Sequence, residues 1–394
     1  MPRYHQLGEL PTKRHKIYRQ PSGELYAEEL MGNMGFVGPA SLLYHVRRPT
    51  AVRALRTLKQ VHWESAEPEP LRHRHFRTGQ LSRKGNAILD RTPLLFNNDV
   101  SMEIVHPAEE VSSFYRNAQG DEIVFVSQGA GRLESTFGAI EFSSGDYLVI
   151  PRGILHRYRF SAETTLLVIE SAGFVRTPRR YRNEFGQLTE ASPYSERDIR
   201  VPETLETHDE KGEFPLIIKK ANSLSEMILA YHPFDVIGWD GYYYPWVLNI
   251  HNFEPRVGRF HLPPPTHQTF EGDGFVICSF CPRPYDFDPE AVPAPYNHSN
   301  VDSDEVLYYA SSEFMSRKGI EFGSITHHPD GIPHGPHPGR AEASIGAKRT
   351  DELAVMMDSF RPLHVAKQAL EIEDPSYHRS WIEQQHAGFN PPTT

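Results

Sequence analysis

The sequence predicts a mainly β protein with two barrels of short antiparallel strands in one chain, covering loops and a short C-terminal helix. Three observations lead there. Thirty-three Pro and 28 Gly punctuate 394 residues, and such punctuation between short apolar runs marks strands joined by turns. From about 100 to 175, strand-like runs recur at 122–127, 132–136, 139–142, 147–151, 156–160 and 165–170, a spacing that indicates a sandwich or barrel. A second set follows at 257–260, 275–280, 306–309, 320–324 and 353–357. The length allows two domains or one large duplicated one. The expected division is 1–255, holding the first barrel at about 100–175, and 256–394, holding the second.

The remaining segments fit around these sets. Residues 1 to about 100 read as irregular, with basic patches at Lys13-Arg14-His15-Lys16 and Arg72-His73-Arg74-His75 expected in solvated loops or interfaces, and a Gly-broken covering loop at 31–36. Residues 175–215 form a charged connector. The aromatic run Trp239-Asp240-Gly241-Tyr242-Tyr243-Tyr244-Pro245-Trp246 either walls a pocket or cements an interface between barrels. Leu363, Ala366 and Leu370 have helical spacing, with Pro362 in the first turn, and residues 390–394 are expected to fray.

A formal charge of −10 argues against general nucleic-acid binding, which needs basic faces to neutralise phosphates. No run of about 18 apolar residues exists, so no membrane span is expected, and the N-terminus lacks the apolar core of a signal peptide. Two cysteines fit a reducing, cytoplasmic setting. Cys278 and Cys281 lie three apart in a strand-like run, where they face opposite sides and read as buried thiols.

Gly145, Pro151, Gly153 and His156 stand at the spacings of the second signature motif of the cupin superfamily, which this stretch resembles. The implied fold is the double-stranded β-helix, or jelly-roll, barrel. Glu122 and Gly129 resemble the end of the first cupin motif, but its two histidine positions read Tyr115-Arg116-Asn117-Ala118. A lone His156 reads as a packed histidine, because a metal site needs three or more converging donors. The first barrel is therefore expected to have lost its metal.

Residues 296–337 hold the densest set of imidazoles and carboxylates. His298 and Asn300 share one strand face, Glu305 sits five residues beyond Asn300, and His334 follows 29 residues after Glu305. This is cupin spacing with Asn in place of the second His. Two imidazoles and one carboxylate leave half a coordination sphere open, which suits Fe(2+) binding a bidentate substrate and O2 side by side. His298, Glu305 and His334 are the expected metal ligands, with Asp304 as the alternative carboxylate. His328 is placed to reach the substrate, while His327 and His337 are surplus and expected in solvent.

Several landmarks resemble homogentisate 1,2-dioxygenase. They are Asn117-Ala118-Gln119-Gly120-Asp121, Gly238-Trp239-Asp240-Gly241, Phe260-His261-Leu262-Pro263-Pro264, Tyr296-Asn297-His298-Ser299-Asn300 and Pro333-His334-Gly335-Pro336. The resemblance implies an Fe(2+) enzyme that opens the ring of homogentisate with O2 to give 4-maleylacetoacetate in tyrosine and phenylalanine breakdown. It gives His261 the base role, makes His328 an active-site histidine, and puts Tyr296, Asn300, Phe314 and His334 at the substrate. It also implies a homo-oligomer, trimeric or hexameric. Two departures stand out. The His298-to-Glu305 interval is one residue longer than the family's unless Asp304 is the ligand, and Phe314 falls where the family has a tyrosine. A phenyl ring keeps the packing there but cannot hydrogen-bond the substrate.

Overall fold

The computed structural model describes residues 3–382 apart from His62 and Glu313. Its first barrel pairs an eight-stranded sheet with a seven-stranded one. In the larger sheet, Asp121–Gln128 lies between Asp146–Ile150 and Thr165–Ser171. All but the last residue of Asp121–Gln128 are buried, which is why it reads as a continuous apolar run rather than an alternating one. Ala130–Ser135 belongs to the other sheet and alternates between half-buried and buried residues, the period-two pattern of a strand with one face in the core. Gly129, at φ +105°, makes the turn between them, and a Cβ there would lie 2.6 Å from the Glu163 carbonyl.

The second barrel is built on a six-stranded sheet in the order Gln268–Gly272, Phe275–Phe280, Ala354–Ser359, Asp304–Tyr309, Ser324–His328 and Arg74–Arg77. Its last strand comes from the N-terminal part of the chain. In return, His364–Val365 adds to the first barrel by pairing with Thr92–Phe96. One continuous core joins the barrels. Tyr147 of the first meets Phe270 of the second with ring centroids 5.3 Å apart, and its hydroxyl bonds Ser279 at 2.8 Å. Tyr308 reaches back to the Ser127 hydroxyl. Each fully buried aromatic of this kind contributes about 1.5–3 kcal/mol.

The fold is mainly β with two cupin barrels, as expected, and several segments differ in detail. Residues 3–100 are not irregular, since strands such as Ala27–Gly32, Ala40–His45 and Val52–Gln60 lie there. Ala27–Gly32 and Ala40–His45 form a hairpin, but the partners that bind it and Val52–Gln60 into their sheets are distant, at Val236–Gly241 and Ser223–Tyr231. Residues 257–260 form no strand, and the run at 320–324 is a loop leading into Ser324–His328. The C-terminal helix is a 3-10 helix, Lys367–Ile372, because His364–Val365 is drawn into a sheet first. The aromatic run is structural cement: Trp239, Tyr244 and Trp246 are fully buried. The expectation for residues 390–394 lies outside the described residues. No helix among the described residues is long and apolar enough to cross a membrane.

Candidate metal centre

Strand alternation sorts the two neighbouring carboxylates. Leu307 and Tyr309 point into the second barrel with Cys278 and Met356, whereas Val306 and Tyr308 point into the core shared by both barrels. Glu305 goes with the first set and Asp304 with the second. Asp304 accepts hydrogen bonds from His327 Nε2 (3.1 Å), Asp330 N (2.9 Å) and Leu363 N (2.7 Å). His327 is therefore buried at 4% exposure rather than solvated. Glu305 is the carboxylate that meets the imidazoles.

His298 and His334 are brought together by a two-residue antiparallel bridge. The N–H of each donates to the carbonyl of the other at 2.8 Å, and their ring centroids are 4.3 Å apart. The bridge needs Gly335, because a Cβ there would lie 2.0 Å from Asn297 Oδ1 and 2.8 Å from Asn297 Cα. This close approach is the physical reason for the Pro-His-Gly-Pro segment. Asn300 meets the same loop through its backbone carbonyl, which accepts from Gly331 N at 3.0 Å.

The donor set fits a cation. His298 Nδ1 donates to the Tyr296 carbonyl at 3.2 Å, which leaves Nε2 a lone pair, 3.7 Å from Glu305 Oε2. His334 Nε2 lies 3.3 Å from Glu305 Oε1, yet both of its ring nitrogens are buried without a hydrogen-bond partner. Ring lone pairs and carboxylate oxygens facing one another repel unless a proton or a metal cation lies between them. One atom from each of His298, Glu305 and His334 falls within 4.8 Å of the others, as coordination of one ion requires. His328 Nδ1 donates to Glu305 Oε1 at 2.8 Å and fixes the carboxylate's orientation. Burial opposes ionisation of Glu305, but its contacts with the three imidazoles prevail and hold it well below the ordinary carboxylate range.

A cavity of about 100 Å³ opens onto this cluster. Its walls include His261, Phe280, Tyr296, Phe314 and two guanidinium groups, Arg283 and Arg317. Burial lowers the His261 pKa, and Tyr296 packs edge-on to His261 at 5.3 Å. Phe314 packs edge-on against Tyr309 (4.8 Å) and Phe280 (5.5 Å). Arg283 is tied to Glu352 at 2.7 Å, while Arg317 is buried, bonded to the Gly335 carbonyl, and stacked over Trp381. The side chain of Asn300 is not among the lining residues.

Sequence reasoning missed His73, Arg317 and Trp381. The run Arg72-His73-Arg74-His75 is not a solvated patch. Arg72 and Arg74 both bond Glu373, and His75 is buried against Ser324. His73 bonds the Pro333 carbonyl at 3.1 Å, and its ring meets those of His328 (5.4 Å) and His334 (6.0 Å). His337, also expected in solvent, is buried at 1% exposure and accepts the Lys318 N–H. The alternating Arg and His of 72–75 was the available signal, since a strand with charges on one face turns its histidines to the other. The thiols of Cys278 and Cys281 are free and buried, and burial pushes Cys281 up to about 11.

The corresponding place in the first barrel is filled differently. Arg91 grips both oxygens of Glu122 at 2.9 and 3.1 Å. Asn117 and Tyr115, at the two histidine positions of the motif, also bond Glu122 at 2.9 and 3.1 Å. Burial resists the charge on Glu122, but Arg91 outweighs it and brings the carboxyl down to about 2. His156 is buried, with Nδ1 on the Ile154 carbonyl at 3.0 Å. A second grouping, His208, Glu210 and His232, lacks the donor geometry. His232 Nδ1 accepts the Phe234 N–H, so its Nε2 carries the proton, and the two rings stack face to face at 3.9 Å and 21°, which sends their in-plane lone pairs side by side rather than together.

A two-barrel cupin chain with two imidazoles and a carboxylate converging in one barrel has the architecture of a metal-dependent oxygenase. Residues 6–250 match the family model "Homogentisate 1,2-dioxygenase N-terminal", and the chain belongs to the homogentisate 1,2-dioxygenase family. It is 42% identical to a protein of Saccharolobus solfataricus described as a candidate dioxygenase with no substrate named, over 96% of this chain and 98% of that one. It is 26% identical to homogentisate 1,2-dioxygenase of Caenorhabditis elegans, over 91% of this chain and 88% of that protein. Among solved structures, a cupin 2 conserved barrel domain protein from Leptotrichia buccalis overlaps 77% of this chain and all of its own, at 12% identity and a TM-score of 0.34. That overlap is too loose to bear on function, and the fold assignment rests on strand topology.

Proposed function

We propose that the protein is an Fe(2+)-dependent ring-cleaving dioxygenase that converts homogentisate and O2 to 4-maleylacetoacetate. The observation that carries this reading is the convergence of His298 Nε2, Glu305 and His334 Nε2 beside an aromatic-walled cavity. These three residues would hold the iron, which when bound supplies Lewis-acid activation of a phenolic hydroxyl and an open position for O2. His261, neutral near pH 7 because burial lowers its pKa, accepts the proton from that hydroxyl. Tyr296, Phe280 and Phe314 hold the ring by edge and face contacts. Arg317 supplies fixed positive charge for the substrate's carboxylate, since its Nε has no hydrogen-bond partner. His328 positions Glu305.

Phe314 favours a second reading. The family's tyrosine is absent there, so the cavity accepts a related hydroxylated aromatic, such as gentisate or a hydroxyanthranilate, with no hydroxyl to discriminate against it. The test is anaerobic loading with Fe(2+) followed by substrate in aerated buffer, with oxygen uptake and the absorbance of the ring-opened product recorded together. Uptake equal to homogentisate consumed is the expected result. Uptake only with other dihydroxy aromatics supports the second reading, and tight iron binding with no uptake on any phenol overturns both.

A further inference from the structure

We infer that the outer face of the first barrel carries a second ligand site, built on Arg116, for a short-chain aliphatic monocarboxylate. Strand Phe114–Asn117 sends Tyr115 and Asn117 inward to Glu122. By alternation, Arg116 points the other way, beneath the hairpin formed by Ala27–Gly32 and Ala40–His45. There it lines a cavity of about 60 Å³ together with residues of that hairpin and of the strand Ser223–Tyr231. The cavity is far in sequence from the metal cluster and shares no lining residue with the cavity at His298.

Arg116 is the unusual group in this cavity. Its side chain is half-buried, and its Nε is buried with no hydrogen-bond partner. Among the described residues the guanidinium makes no ion pair. A buried N–H without a partner costs stability until something pairs with it. The two carboxylates in the lining hydrogen-bond His45 rather than Arg116: Asp235 Oδ1 lies 2.6 Å from its Nδ1, and Glu29 Oε2 lies 3.0 Å from its Nε2, so Glu29 acts on Arg116 only at longer range. These carboxylates raise the His45 pKa to about 9 against the effect of burial, so the imidazole is charged at neutral pH. Arg47 is paired with Asp209, which leaves Arg48, Arg116 and His45 facing Glu29 and Asp235, three cations against two anions, in a chain whose formal charge is −10.

Size and wall chemistry define the ligand. A cavity of about 60 Å³, smaller than the one at His298, takes only a small ligand. Leu155, Leu216, Met227 and Leu229 make one side apolar. A guanidinium pairs a carboxylate with two parallel hydrogen bonds, and a tail of two or three carbons fills the apolar side. Phosphate offers the charge without that tail, and an aromatic acid exceeds the volume.

Isothermal titration of the full chain with sodium propionate tests the site, with sodium phosphate and sodium chloride as controls at matched ionic strength. Saturable one-to-one propionate binding is expected, weakened about tenfold or more by Arg116→Gln, with Arg116→Lys intermediate because a point charge replaces a fork. Met227→Trp keeps the guanidinium but fills the cavity, and it is expected to abolish binding even if Arg116→Gln is too unstable to purify. Oxygen uptake by Arg116→Gln is expected to match that of the unaltered chain. No saturable propionate binding, equal affinity in Met227→Trp, or saturation by phosphate in place of propionate would each overturn the proposal.

Discussion

In the first barrel the carboxylate of Glu122 meets a guanidinium; in the second, that of Glu305 meets imidazoles. Both carboxylates are buried on corresponding strands, and both are held ionised against the cost of burial. Arg91 does this with a charge that cannot leave and two hydrogen bonds that use both oxygens of Glu122. His298 and His334 offer exchangeable imidazole nitrogens instead, so the balancing charge is a proton or a metal cation taken up from outside the chain. One barrel is closed by its own cation, and the other is left to bind one. The same fold thereby becomes a scaffold in one half and a candidate reaction centre in the other.

The largest effect should come from moving the charge. Glu305→Gln is expected to lower both bound iron and oxygen uptake by more than ~100-fold, beyond the usual loss from a residue behind the ligands, while Asp304→Asn keeps its iron. Metal analysis beside an oxygen electrode checks both, and retained iron in Glu305→Gln would overturn the ligand assignment. Arg91→Leu should leave iron content unchanged but destabilise the chain by about 3–5 kcal/mol, because it strands a buried carboxylate. Urea unfolding measures this, and an unaltered midpoint would mean that Arg91 is not the closing charge.

A smaller effect follows from pH. His45 ties the N-terminal hairpin to Asp235 and Glu29, and its folded pKa of about 9 lies above that of an unfolded histidine. The stabilisation is complete below about pH 6.5 and is lost as pH rises through about 9, up to about 3 kcal/mol in all. Denaturation midpoints measured from pH 6 to 10 should fall over that window, and His45→Gln should flatten the fall. The smallest change is Phe314→Tyr. A new hydroxyl in the second barrel's cavity is worth about 0.5–1.5 kcal/mol if it meets the substrate, so KM for homogentisate should drop a few-fold with kcat little altered. A rise in KM would show that the ring position is used for packing alone.

The strands of the first barrel were legible because turns and apolar runs are local. Observed strands such as Gly138–Ser143 and Thr165–Ser171 fall within a residue or two of the runs expected from sequence. The candidate cluster could be read for the same reason: His298, Glu305 and His334 lie within 37 consecutive residues. Spacing could not separate Asp304 from Glu305, since that depends on which face of the strand meets the barrel interior. The partners of His73 and Arg91 were not legible. His73 meets Pro333 across 260 residues, and Arg91 meets Glu122 from a segment with no regular pattern of its own.

The exchange of strands between the halves has a consequence for synthesis. Arg74–Arg77 leaves the ribosome long before Ser324–His328, the strand it pairs with, and Thr92–Phe96 waits for His364–Val365. Neither barrel can complete its sheet until nearly the whole chain has been made, so contacts between remote residues must form late and together. A nascent chain halted between the halves would carry open strand edges that invite pairing with neighbours. The two barrels are therefore one cooperative unit in folding, even though only one of them is built to take an ion.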